Sequence, residues 1–219
     1  MVPPDYVQVP AIYCSEFKTC LDQLPQGKTV ATTVFLKDFK DYPAMNAVYE
    51  KRFPGLKPAR NTVSTDLPKT MRVGINAIIY TGAETPKGLT PPNTTNIVPI
   101  TPGILTLGRL FIAGILGRDS NTGTIPSAPN DQIEMCLTRL TRVLATAQLD
   151  RSNLVQATLY HTSEIPRELI DTQLKLYFGS SPTIAITILE VPTLALGANI
   201  GINGIALFLH SGVTKRDAP

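Results

Sequence analysis

Pro58-Ala59-Arg60, then Asp66-Leu67-Pro68, then Gly74-Ile75-Asn76 is a pattern that the chain carries twice. The second copy reads Pro182-Thr183-Ile184, Glu190-Val191-Pro192 and Gly201-Ile202-Asn203, and the two copies open at Thr33 and Ala157. The offset is 124 at both prolines (182 − 58, 192 − 68) and 127 at the asparagine (203 − 76), which implies one small insertion before the Gly-Ile-Asn. Solenoid units repeat every ~20–50 residues, so a period this long marks two related domains instead. Only the first copy keeps an arginine, Arg60; the second has Ile184. One site is retained and one is lost.

Outward from the repeat, the second half has the clearer patterning. Ile104 to Leu107 and Leu110 to Ala113 flank Gly108-Arg109, the signature of a β-hairpin with a two-residue turn. Asp119 to Gly123 is a turn cluster. Apolar residues from Ile133 to Ala147 recur every three or four positions, which predicts a helix over 130–147 with Asn130 or Asp131 as its N-cap. A strand (154–161), a helix from Pro166 to Tyr177, a strand (183–190) and a last strand (199–209) follow. The first half repeats the later part of this order: helix 16–24, strand 29–37, helix 43–53, strand 61–66 and strand 72–80. Before its first helix too little chain remains for a hairpin, so the opening hairpin is missing or reduced to one strand. Residues 82–99, rich in Gly, Pro, Thr and Asn, are expected to link the halves. The expected organisation is a first domain over 1–81, the linker, a second domain over 100–211 and a tail over 212–219. The class is α+β, with helices packed on one face of a mixed sheet.

Composition narrows the function classes. The chain has 219 residues, is 43% hydrophobic and 17% charged, and carries a formal net charge of +3, ordinary values for a protein with a core. The densest basic cluster, Lys215-Arg216, lies in the tail beside Asp217, which argues for a solvated tail rather than a nucleic-acid surface. Three cysteines (Cys14, Cys20, Cys136) without Cys-x-x-Cys spacing and two isolated histidines (His161, His210) give no metal-ligand pattern, so no metal and no cofactor are expected. The cysteines are expected to be reduced core fillers and His161 a surface residue. The start of the chain lacks signal-peptide character, and the apolar run 103–117 is too short to span a bilayer. A cytoplasmic protein without membrane or nucleic-acid partners is expected.

Val34-Phe35-Leu36-Lys37-Asp38, Met45-Asn46-Ala47-Val48-Tyr49-Glu50, Phe53 and Pro58-Ala59-Arg60 make the first half resemble the Rid family, the YjgF-like or L-PSP endoribonuclease-like reactive-intermediate deaminases. The second half resembles it through Phe111-Ile112-Ala113-Gly114, the turn Asp119 to Gly123 and Leu154 to Tyr160. The resemblance implies tandem chorismate-mutase-like domains, assembly into a homo-oligomer with sites in clefts between units, and hydrolysis of a small carboxylate-bearing imine. By the same resemblance Arg60 is the arginine that holds the carboxylate and Asn46 the helix asparagine beside the cleft. Thr62 stands where members often carry a cysteine. Asn76, and Asn203 in the second copy, stand where deaminating members carry a water-ordering glutamate.

Each candidate also has a structural reading. Arg60 could pair with Asp66 or Glu50 at the surface, but a planar guanidinium suits a carboxylate better than a lysine would. Asn46 could be a solvated helix residue. Asn76 and Asn203 sit in apolar strands and need partners, either in a cleft or across an interface. Thr62 is also a strand former, and Gly114 either exposes its backbone N–H to a ligand or marks a β-bulge. The site expected from sequence therefore has Asn76 and Thr62 as the groups that position water, with Arg60, Asn46, Gly114 and Asn203 as substrate-binding residues. An amide orders water but cannot serve as a general base. The resemblance leaves a non-catalytic tandem module open, such as that of eukaryotic diphthine–ammonia ligase. An endoribonuclease is disfavoured by the absence of tryptophan and of a basic stripe.

Overall fold

A computed structural model of the chain describes residues 5–179 and 183–208. Pro182, His210, Lys215 and Arg216 lie outside the described residues, as does the end of the last expected strand.

The first half forms a four-stranded sheet from β1 (Tyr6–Cys14), β2 (Lys28–Leu36), β3 (Ala59–Ser64) and β4 (Val73–Tyr80), in the order β1-β4-β2-β3. The second forms a six-stranded sheet from β5 (Lys87–Leu89), β6 (Gly103–Thr106), β7 (Arg109–Leu116), β8 (Leu154–His161), β9 (Ala185–Glu190) and β10 (Ile200–Leu207), in the order β5-β6-β7-β10-β8-β9. The last four strands of each half share one plan. Its crossover pair is parallel (β2 with β3, β8 with β9) and the remaining pairs are antiparallel. β1 stands in the first sheet where β7 stands in the second.

The repeat extends to an irregularity. β1 pairs with β4 through a shift between Val9 and Ile12, opposite Ala77 and Ile75, so that Pro10-Ala11 face the single residue Asn76. β7 pairs with β10 through a shift opposite Ile202 and Gly204, so that Ala113-Gly114 face Asn203. Each Gly-Ile-Asn therefore sits against a bulge, where two residues oppose one and the strand bends.

Helices α1 (Phe17–Asp22) and α2 (Tyr42–Arg52) pack on the first sheet, α3 (Pro129–Thr146) and α4 (Arg167–Phe178) on the second. α2 buries Tyr42, Met45 and Tyr49, the i, i+3, i+7 face expected of an amphipathic helix. α3 buries Ile133, Cys136, Leu137, Leu140, Val143 and Leu144 over 18 residues, whereas its counterpart α1 has 6 residues and buries only Phe17, Cys20 and Leu21.

Four local expectations are corrected. The hairpin turn is Leu107-Gly108, not Gly108-Arg109. Both residues have positive φ (42° and 68°), as a two-residue turn that follows the sheet's twist requires, and Arg109 pairs with Thr106 as the first residue of β7. The N-cap of α3 is Ala128, which makes no side-chain bond, because Pro129 already supplies the favoured first-turn geometry; Asn130 and Asp131 fall inside the helix. Part of the connecting segment is structure, since Lys87–Leu89 pairs with β6. His161 is buried, because its strand end is roofed by β10 and the chain leaving β9; its Nδ1 lies 3.0 Å from the Thr162 carbonyl.

The halves share buried residues. Tyr6, Val30, Ala59 and Tyr80 pack with Ile104, Phe111 and Ala113, while Val63 packs with Tyr160, Val191 and Leu194. Tyr6 Oη donates to the Thr106 carbonyl at 2.9 Å, and Ser64 Oγ both donates to the Thr193 carbonyl and accepts from its N–H, each at 2.8 Å. No described helix is long and apolar enough to cross a membrane.

Candidate active site

Arg60 is the second residue of β3, a strand buried along its whole length, and its side chain turns toward α2. Its residue is 2% exposed. One terminal nitrogen, Nη2, donates to Asn46 Oδ1 at 2.7 Å and lies 3.4 Å from Tyr42 Oη; the other, Nη1, lies 3.7 Å from the Met45 sulfur. The guanidinium sits over the ring of Tyr49 at 4.6 Å and near that of Tyr42 at 5.7 Å, where the π-faces partly replace water around the cation. Burial pushes the Tyr49 phenol pKa up, opposed by the Arg60 charge and the bond to Thr32.

Among the described residues no carboxylate pairs with Arg60. Glu50 is 3.8 Å from Lys57 instead, and the ion pairs of the first half otherwise join Lys18 to Asp22, Lys40 to Asp38 and Arg72 to Asp41. Arg60 Nε is buried without any partner. A cation out of water without a counter-ion costs several kcal/mol by general estimate, a cost that Asn46 and the two tyrosine rings offset in part.

The rest of the wall comes from across the chain. Arg60 and Thr62 line a cleft of about 70 Å³ with Gly114 of β7, Arg118, Arg139 of α3 and the segment around Thr95–Val98. Gly114 presses on Asn61: a Cβ built there would lie 2.6 Å from Asn61 Oδ1, so only glycine lets the two halves meet at this distance. Gly114 sits in the bulge of β7 and lines the cleft. Thr62 Oγ1 is buried and unpartnered beside the arginine.

Asn76 and Asn203 do not join this site. They line a separate cleft of about 450 Å³ between the inner faces of the two sheets, with Thr33, Thr158 and Arg109 among its walls. Strand residues alternate between faces, and this decides the matter. Thr32, opposite Arg60, reaches Tyr49 on the helix side, whereas Thr33 pairs with Asn76, whose Oδ1 accepts from the Thr33 N–H at 3.0 Å. Asn203 Oδ1 is buried without a partner. The structure thus brings Arg60, Asn46, Thr62 and Gly114 together and leaves the two asparagines on the far side of their sheets.

The register also moves the lost position. Thr33 with Asn76 matches Thr158 with Asn203, so Thr32 matches Ala157, and the parallel partners of these are Arg60 and Ile186. Ile186, not Ile184, therefore stands where Arg60 stands. A slip of two residues keeps the same face, and both isoleucines pack against the second core.

Arg118 and Arg139 escaped the reading of the sequence. Arg139 is a polar residue on the border of the apolar stripe of α3, and its Nη1 donates to the carbonyls of Leu116 and Arg118 at 2.7 and 2.6 Å. Burial lowers its pKa. Nothing in a single sequence ties that helix position to Arg60, 79 residues earlier (139 − 60).

The family model for endoribonuclease L-PSP matches residues 16–81 and 94–208. The 2-iminobutanoate/2-iminopropanoate deaminase of Escherichia coli K12 is 36% identical over 90 residues, covering 35% of this chain and 70% of the deaminase. The enzyme of the same name from Dermatophagoides farinae is 41% identical over 51 residues, so that match covers 23% of this chain and only 40% of the relative's length. Among solved structures, the conserved Rid-family protein YyfA of Yersinia pestis superposes with a TM-score of 0.53 at 22% identity, over 57% of this chain and 100% of YyfA. Its likeness is one of fold, and it spans about one half of the tandem chain.

Proposed function

We propose that this chain, which belongs to the endoribonuclease L-PSP family of Rid/YjgF proteins, holds a small carboxylate-bearing imine in the cleft between its halves and hydrolyses the C=N bond. The observation that carries this reading is the buried Arg60, without an ion-pair partner among the described residues, in the wall of a cleft of about 70 Å³ between the halves. The deaminase relatives, named for 2-iminobutanoate and 2-iminopropanoate, favour the same class of ligand.

Asn46 and the two tyrosine rings fix the guanidinium, a planar fork whose geometry suits a carboxylate. Thr62 Oγ1, unpartnered at that spot, is the group to orient water toward the imine carbon. Addition of water forms the C–O bond as the C=N π-bond opens. The nitrogen takes up the protons that the oxygen gives up and leaves as ammonia, and a 2-oxo acid remains. Among the described residues no carboxylate or histidine lines the cleft, so position and charge, not a general base, drive the step.

That same lack favours a second reading, in which the chain binds such compounds without turnover. Ammonia release from 2-iminobutanoate generated in solution decides between them. We expect release above the spontaneous rate, lost on Arg60→Ala and lowered on Thr62→Val. Binding without release in the wild type would leave only the second reading. Self-association belongs to the proposal as well: the inner sheet faces around Asn76 and Asn203 and the outer edge of β1 are the surfaces for another copy.

A further inference from the structure

We infer that the ligand of this cleft carries two anionic groups, one held by Arg60 and the second by Arg118 and Arg139, so that the preferred substrate is the imine of a dicarboxylic amino acid. This rests on the reading of Arg60 as the anion anchor and goes beyond it by naming the substrate class.

Three arginines from three separate elements, β3, the turn after β7 and α3, line one small cleft, and among the described residues no acidic one lines it with them. None of the three takes part in an ion pair among the described residues. The acidic group nearest Arg139 in charge effect is Asp119, which forms no ion pair with it among the described residues and whose Oδ1 is held by its own turn. It accepts from Asn121 N at 2.9 Å and from Thr122 N and Oγ1 at 2.7 and 3.0 Å.

Arg139 is anchored through Nη1 alone, which leaves the rest of its fork for a ligand. Like charges brought together in a partly dry cleft repel, and a fold keeps them there at a cost that an anion of matching charge removes. A single carboxylate would neutralise Arg60 and leave the other two uncompensated. A second carboxylate is the complement they lack.

The test is calorimetric titration of 2-oxoglutarate and of 2-oxopentanoate, which share a five-carbon chain and differ in whether the far end is a carboxylate or a methyl group. We expect wild type to bind 2-oxoglutarate at least tenfold more tightly. That ratio should fall close to one in Arg118→Gln, while Arg60→Met weakens both acids alike. Arg139→Gln is the weaker probe because Arg139 ties two carbonyls, so Arg118→Gln carries the decision, with its melting curve as the check on folding. Equal affinities in wild type, or a ratio unchanged in Arg118→Gln, would overturn the inference while leaving Arg60 as an anchor. Indifference of both acids to Arg60→Met would instead remove the anchor and this inference with it.

Discussion

At the scale of single residues Arg60 sets the proposed function against stability, because a buried cation without a counter-ion costs free energy. Taking an unpaired charge out of water costs several kcal/mol by general estimate, and an apolar side chain of similar length removes that cost. Arg60→Met is therefore expected to melt at or above the wild-type temperature while losing ten- to a hundredfold in carboxylate affinity, since bonds to charged groups contribute roughly 1.5–3 kcal/mol. A variant that melts lower and binds as before would mean that the guanidinium is structural. Cys136 gives a second residue-scale prediction. Burial pushes its thiol up to about 12 from an ordinary value near 9. The sign follows from linkage: between those values the unfolded thiol ionises and the folded one does not. Its contribution is full below about pH 9 and is lost as pH rises toward 12. Urea midpoints across that window should fall less steeply in Cys136→Ala than in wild type, and parallel slopes would count against it. Arg60, Asn46, Thr62 and Gly114 were legible because they lie in one short motif or in a recognisable strand. Arg118 and Arg139 were not, since a turn and a helix border reach the cleft only through tertiary packing.

Elements show where periodicity was enough and where it was not. Most strands and helices, though not β5 or the far end of β7, match their expected bounds within one or two residues because apolar spacing fixes the face that is buried, as in α3. Which face a polar residue takes is a matter of register, and there Asn76 and Asn203 were misplaced: in each strand the asparagine alternates away from the arginine's side. The hairpin turn was read one residue late for a similar reason, because Leu107 is an unexpected residue for positive φ. The left-handed region costs a non-glycine residue roughly 1–2 kcal/mol, and Leu107 is an exposed side chain that gains little from packing. Leu107→Asn creates the Asn-Gly pair that such turns favour. We expect it to raise stability by about 1 kcal/mol, seen as a higher urea midpoint at unchanged slope. A midpoint at or below wild type would show that the turn is not strained.

For the whole molecule, the site exists only because the two halves stay together. The first half contributes Arg60, which Asn46 holds, and Thr62, and the second contributes Gly114 and the remaining arginines. The shortened α1 leaves the first half a smaller core of its own, and Tyr6, Val30 and Ala59 complete theirs with Ile104 and Phe111. A fragment of residues 1–81 is therefore expected to show no cooperative melting, and a sharp transition in that fragment would refute the dependence. Sedimentation across micromolar concentrations is expected to give more than a single chain's mass; one chain throughout would remove the proposed packing of another copy on the inner sheet faces. The most direct measurement is a crystal structure of the chain with 2-oxobutanoate. The carboxylate should lie within hydrogen-bond reach, ~3 Å, of the Arg60 guanidinium, with Gly114 facing it from the other half. A ligand seated between the sheets beside Asn76 and Asn203, with nothing on Arg60, would contradict the assignment of this cleft as the site.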